Sequence, residues 1–372
     1  MLKNINKILI IKPSAFGDIV HTLPFLNALK TGYPDAQIDW VVAHGLHTFL
    51  EGHPMIRRLW VIKKDQWKKL KYMKATFREI VELTKGLREE KYDVAVDLSG
   101  ILRSGLIAFA SGAKVKLGFE ESNEGSPFFY SHKIKGDMNI HAIDRYLTLA
   151  GALGCPTDII DYPFAPFNEE TYSNINQERY SNFNQKRCSN VNQKRYLNTN
   201  EDIYSNKKPE IFKEFPQEYV VISPSAGKKA NQWHASRFGE LAARLPLPSI
   251  VISSPSDVAI ATEVVKHSGG RAISIAGKTG LKELIPIIRK AAYFITNDTG
   301  PMHVAAALNV PVFAIFGPAN PIRTGPYGDI HTVIQKKLDC IPCYAQKPCS
   351  HWKCMNDLTV EDVFNVISSC TS

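Results

Sequence analysis

The stretch "ILIIKPSAFGDIVHTLPFLNALK", Ile8 to Lys30, decides the fold. Four consecutive apolar residues, Ile8 to Ile11, have the character of a strand buried on both faces. The chain then turns through Pro13, Ser14 and Gly17 and resumes with Ile19, Val20, Leu23, Leu26 and Leu29 at helical spacing. A doubly buried strand feeding a helix is the repeating unit of a parallel sheet with helices on both faces. Asp18 falls where the helix begins. A carboxylate there caps the helix, accepting amide hydrogen bonds and complementing the dipole, or else it stands at the mouth of a cleft and does chemistry.

The alternation continues outward from this unit. Ile38–Val42 and Val94–Asp97 are strand candidates, each followed by helical periodicity. A second set begins near Tyr219 with "YVVISPS", "SIVISS", "YFITND" and "VPVFAIFG". The expected architecture is α/β, two Rossmann-like domains facing across a cleft, with the ligand at the strand C-termini. The expected boundaries are 1–165, 166–210 and 211–372. The middle segment has a different character. "YSNINQER", "YSNFNQKR", "CSNVNQKR" and "YLNTNEDI" form an imperfect octapeptide repeat, Tyr172 to Ile203, rich in Asn and too poor in aliphatic residues to bury a core.

The chain has 372 residues, 44% of them hydrophobic and 22% charged, enough for two domains with cores of their own. There is no run of 18 apolar residues, and the N-terminus enters a strand without a signal-peptide pattern, so a cytoplasmic location is expected. The net charge of +9 is concentrated. From Arg57 to Lys91 there are 12 basic against 5 acidic residues, interleaved with Trp60, Trp67 and Tyr72. This segment is a solvated face or a patch toward an anionic partner. With no nucleic-acid-binding motif, the partner of choice is an anionic membrane surface bound peripherally, Trp60 and Trp67 sitting at the interface.

Three further loops carry candidate chemistry. In "NDTGPMHVAAAL", Asn297 to Leu308, a buried strand ends and a helix starts at about Pro301 or Met302. Gly300 would expose amides at the helix N-terminus, an anion site suited to a diphosphate, with the Thr299 hydroxyl beside it. Asp298 would repel phosphate and better suits sugar hydroxyls, and His303 lies one turn in. "SPSAGKKANQWHASRF", Ser223 to Phe238, places Lys228 and Lys229 after a strand, with Trp233 as a packing anchor. "FGPANPIRTGPYG", Phe316 to Gly328, is a Gly/Pro loop that lines a nucleotide pocket or simply turns the chain. Four of the seven cysteines, Cys340, Cys343, Cys349 and Cys354, cluster in "CIPCYAQKPCSHWKC". A structural metal site, reduced thiols and a disulfide all remain open for them.

These residues together resemble the ADP-heptose:lipopolysaccharide heptosyltransferases, glycosyltransferase family 9. The resemblance runs from the opening stretch through "YDVAVDLSGILRS" and "NQWHASRFGELAARL" to "NDTGPMHVAAALNVPVFAIFGP", leaving the Asn-rich repeat outside as an insertion. It implies a GT-B fold and inverting, metal-independent transfer of heptose from ADP-heptose, without a cofactor. The implied acceptor is a phosphorylated glycolipid of the Kdo-lipid A or inner-core type. The catalytic base falls on Asp18, and the diphosphate and sugar contacts on Asp298, Thr299 and Gly300. His303, Lys228, Lys229, Ser225 and Asp257 complete the expected donor side, and Lys12, Ser14, Gly17, Arg57, Lys63, Lys64 and Arg103 the acceptor side. One departure stands out: where the family commonly carries a Lys two residues before the Trp of the third loop, this chain has Asn231. Two other functions share the architecture, a hydrolysing nucleotide-sugar epimerase and a non-catalytic nucleotide-sugar or lipid-binding protein.

Overall fold

The computed structural model describes residues 5–67, 69–166, 215–346 and 349–371. The octapeptide repeat, Tyr172 to Ile203, and Lys68 lie outside them. The described residues form two compact units, one ending at Pro166 and the other running from Phe215.

The first unit is built on a six-stranded parallel sheet of order β3-β2-β1-β4-β5-β6. Its strands are β1 (Lys7–Ile11), β2 (Gln37–Ala43), β3 (Arg58–Ile62), β4 (Val94–Asp97), β5 (Val115–Phe119) and β6 (His132–Ile134). Helices α1 (Phe16–Gly32), α2 (His47–Leu50), α3 (Met73–Glu89), α4 (Leu102–Ala110) and α5 (Ala142–Ala152) connect them. Ile8 to Ile11 are wholly buried, as a central strand covered on both faces must be. Helix α1 is apolar almost all round and buried to match, its inner positions packing beside α5. Leu87 of α3 and Ile107 and Ala108 of α4 enter one cluster with Leu9, Ile11, Val41, Trp60 and Ala95, so both helices cover the same sheet face.

The second unit repeats the plan, with order β12-β11-β10-β7-β8-β9. The strands are β7 (Val220–Ser223), β8 (Ser249–Val251), β9 (Ala272–Ser274), β10 (Phe294–Asn297), β11 (Val312–Phe316) and β12 (Thr332–Gln335). Helices α6 (Ala235–Arg244), α7 (Val258–His267), α8 (Leu284–Arg289), α9 (Gly300–Ala307), α10 (Pro321–Thr324), α11 (Lys353–Asn356) and α12 (Val360–Thr371) complete it. Trp233 is fully buried, donates Nε1–H to Leu358 O at 2.9 Å and meets Phe238 edge-on, which makes it the packing anchor expected. In each unit the chain departs in opposite directions from two adjacent central strands, β1 and β4 or β7 and β10. Those are the switch points at which α/β sheets hold ligands. Among the described residues no helix is long and apolar enough to cross a membrane.

Candidate active site

At the switch point of the first unit, the loop after β1 and the loop after β4 meet through Lys12. Its ammonium lies 3.2 Å from Leu98 O, 3.4 Å from Asp18 Oδ2 and 5.1 Å from the centre of the Tyr146 ring. Burial works against that charge. The Asp18 carboxylate and Tyr146 outweigh it and hold the ammonium above its ordinary pKa, so Lys12 stays charged. Asp18 sits in the first turn of α1, and the same Oδ2 accepts the Ala15 N–H at 2.9 Å. Its other oxygen, Oδ1, takes no hydrogen bond from the described residues, and the side chain is 36% exposed. Asp18 therefore caps its helix with one oxygen and leaves the other open.

Several expectations about the acceptor side change. Lys12 is only 5% exposed and cannot reach a substrate directly; it holds Asp18 instead. Arg57 lies at the opposite edge of the sheet, where strands begin. There it pairs with buried Asp39, which also accepts from Tyr92, and with Glu90 at 2.6 Å. That ion pair locks β3 to β2 and occupies the Arg57 guanidinium. Lys64 Nζ, by contrast, donates to Ser14 Oγ at 2.9 Å and so borders the Asp18 loop. Lys63 is exposed, its amide bonded to Glu79. Gly17 is buried in the first turn of α1, and Arg103 lies 5.9 Å from the Trp67 ring. Trp60 is not at a surface: it is 8% exposed and donates to the Tyr92 hydroxyl at 2.8 Å, while Trp67 is half-buried against the same cluster.

Sequence reasoning passed over Asp97 and Tyr146. Asp97 ends β4 fully buried, with its pKa pushed up by that burial. The Tyr130 hydroxyl at 2.6 Å and the Ser99 and Gly100 amides pull the other way. It ties the loop after β4 in place beside the Leu98 carbonyl. A strand that ends on a carboxylate, "VAVDLSG", was the visible signal; Tyr146 lies too far along the chain for any local pattern to have placed it at Lys12.

In the second unit, β10 ends in Asn297, and α9 begins at Gly300, a residue or two earlier than expected, with Thr299 extended as its cap residue. Asn297 is buried and clamps the neighbouring loop. It accepts the Trp233 N–H at 3.0 Å and donates to Pro224 O at 2.6 Å. Asp298 accepts from Asn231 Nδ2 at 2.9 Å. Burial raises the Asp298 carboxyl to about 6, with the charge of Lys228 opposing. Asn231 thus supplies a hydrogen bond to Asp298 and no charge. Lys228 and Lys229 are exposed, and His303 is buried in α9. Ser225 bonds Ser253 at 2.6 Å, joining the loops after β7 and β8, and Asp257 accepts from Ser254 at the entry to α7. Ser225, Lys228, Lys229, Asp257, Asp298 and Thr299 thus lie on the connections that follow β7, β8 and β10, while Gly300 and His303 belong to α9.

The four clustered cysteines are free thiols. Cys340 and Cys343 are exposed; Cys354 is buried, its pKa raised by that burial and then by the three neighbouring thiols. Among the described residues no group of three or more His, Cys, Asp or Glu side chains is arranged to hold a metal ion.

The family model for glycosyltransferase family 9 (heptosyltransferase) matches residues 80–353. The lipopolysaccharide core heptosyltransferase OpsX of Haemophilus influenzae is 25% identical over 332 residues, 87% of this chain and 83% of that protein. Lipopolysaccharide heptosyltransferase 1 of Pseudomonas aeruginosa is 24% identical over 362 residues, covering 96% and 91% of the two chains. Among solved structures, Escherichia coli heptosyltransferase WaaC with ADP superposes with a TM-score of 0.72 at 21% identity, covering 98% of this chain and all of that one. A family 9 glycosyltransferase from Veillonella parvula gives 0.75 at 21% identity, covering 100% and 98%. Both structures share the fold of this chain.

Proposed function

The chain belongs to glycosyltransferase family 9, and on that premise we propose that it transfers heptose, with inversion, from ADP-heptose to a phosphorylated inner-core glycolipid of the Kdo-lipid A type. Inversion is a single displacement through an oxocarbenium-like transition state, in which the acceptor hydroxyl attacks as ADP leaves. Asp18 takes the hydroxyl proton on Oδ1, the oxygen left open while Oδ2 is held by Lys12 and the Ala15 amide. The N-terminal amides of α9 at Gly300, with the Thr299 hydroxyl and Lys228 or Lys229, receive the leaving diphosphate. Asp298 orients the sugar hydroxyls, which spares it a clash with phosphate.

The observation that carries this reading is the half-open Asp18 carboxylate at one switch point, in a chain that also presents Asp-Thr-Gly at a helix start at the other. The chain's similarity to lipopolysaccharide heptosyltransferases, and to one such enzyme solved with ADP, supports the choice of substrates. Because such an acceptor is lipid-linked, the enzyme works peripherally at an anionic membrane face.

The test is transfer from ADP-heptose to a truncated lipopolysaccharide core by wild type and Asp18→Asn. Asparagine keeps the hydrogen bond to Ala15 and removes the base, so kcat should fall by about 10²-fold or more with ADP affinity unchanged. A wild-type rate in Asp18→Asn overturns the assignment.

A further inference from the structure

Helix α3 wears its apolar side chains outward. Met73 is 65% exposed, Phe77 71%, Ile80 40% and Val81 49%, and Leu70 just before the helix is 87% exposed. Their spacing of three and four residues places them in one row along the helix. Leu87 is the buried residue of α3, and the helix is seated by Leu87, half-buried Leu83 and the close approach of Gly86 to the Trp60 ring. The neighbouring helix repeats the arrangement: Leu102, Leu106 and Phe109 of α4 are exposed, while Ile107 and Ala108 enter the shared cluster. Arg88 donates to Ala110 O at 3.3 Å and ties the two helices side by side. Two adjacent apolar rows facing water are unusual for a surface that stays in water.

Charge identifies what covers them. Lys74, Arg78, Lys85 and Arg88 form the next row round α3, all exposed, beside the apolar one. Ile80, Val81, Thr84, Lys85, Arg88 and Glu89 line a shallow depression with an apolar floor, its rim carrying two cations and one carboxylate, Glu89, 4.0 Å from Lys85 Nζ. The approach to the helix adds exposed Lys63, Lys69 and Lys71. An apolar row bordered by cations matches a leaflet of anionic phospholipid, in which apolar side chains enter the headgroup boundary and long basic ones reach the phosphates. The same segment also leads to the acceptor loop, since Lys64 hydrogen-bonds Ser14.

We propose that the outer faces of α3 and α4 are a bilayer-docking surface, with Phe77 and Ile80 at its centre, inserted into an anionic leaflet that presents the acceptor. The inference rests on the acceptor being lipid-linked. The experiment separates the two. Full-length wild type and Phe77→Asp/Ile80→Asp are compared by flotation with vesicles of phosphatidylethanolamine and phosphatidylglycerol, and with vesicles of phosphatidylcholine alone. Transfer is measured in parallel on acceptor embedded in the anionic vesicles and on deacylated, water-soluble core. Wild type should float with the anionic vesicles, and the variant should lose about tenfold or more in partitioning, since two inserted side chains become charged. Transfer to embedded acceptor should fall with it, and transfer to soluble core should not change. A variant that floats like wild type overturns the docking surface. So does a wild type that sediments as a dimer which the double substitution dissociates. If neither protein transfers to either acceptor, the catalytic reading fails while flotation still decides the surface.

Discussion

In the proposed reaction Lys12 acts through Asp18, and its replacement by methionine isolates that contribution. Methionine fills the buried volume without the charge, and Asp18 is solvated enough not to be stranded in an apolar site, so Tm should stay within a few degrees. Without the ammonium, Oδ2 loses one of its two partners and the carboxylate is held less firmly, so kcat should fall about tenfold with the KM for ADP-heptose unchanged. Lys12→Arg should restore part of that loss. A stability loss with kcat unchanged would make Lys12 merely structural. Asp298 makes a different prediction. Its carboxyl is raised from the ordinary 3.8 to about 6 by burial, so between these values the folded state binds more protons than the unfolded one. Stability therefore declines as pH rises through that window, and above it the penalty is complete. Asp298→Asn keeps the bond to Asn231 and removes the penalty. Its Tm advantage over wild type should grow from pH 4 to pH 7, as differential scanning calorimetry at several pH values can show. At this scale the sequence marked Asp18, Thr299 and Gly300 as candidates, because each sits at a strand–helix junction with a local signature. It did not show what Lys12 and Arg57 pair with. Their partners, Tyr146 and Leu98 for one and Asp39 and Glu90 for the other, are distant in the chain, and only the fold brings them together.

Helix α3 shows how one contact sets an element's orientation. At Gly86 an added Cβ would lie 2.6 and 2.8 Å from atoms of the Trp60 ring. Alanine favours a helix interior over glycine by about 1 kcal/mol, but a rigid buried aromatic cannot yield, and overpacking costs typically about 1–3 kcal/mol. Gly86→Ala should therefore lower Tm by a few degrees despite its better propensity, measured by thermal melts in circular dichroism. An unchanged or higher Tm would mean the helix shifts freely on the sheet. The elements themselves were largely legible. Uninterrupted apolar runs marked β1, β4, β7, β10 and β11, since strands covered on both faces admit little else. Edge strands such as β6, with two of three residues exposed, carry no such run and escaped. The outward face of α3 was also illegible, because periodicity shows that a helix has an apolar row and not which way the row points. Trp60 was read as interfacial for the same reason: aromatic residues suit a core and a membrane boundary equally well.

Across the whole molecule, each unit closes its own sheet and core, and the strand order of the first recurs in the second. The Asn-rich repeat is poor in aliphatic residues, so its composition offers the two units little apolar surface to bury. Removing Tyr172 to Ile203 should leave both Tm and heptosyl transfer nearly unchanged in the purified protein, and a large loss of either would show that the repeat packs on one of the units. The division between the units has a further consequence, in time. Every strand of the first sheet has left the ribosome's catalytic centre by Ile134, and the described residues of that unit end at Pro166. The following 167–214 must be synthesised before the first strand of the second sheet, which takes roughly 2–10 s at ordinary elongation rates. That interval is long compared with the collapse of a domain this size. The nascent chain thus brings one finished fold to the birth of its near-copy, and strands of matching order do not compete for the same partners.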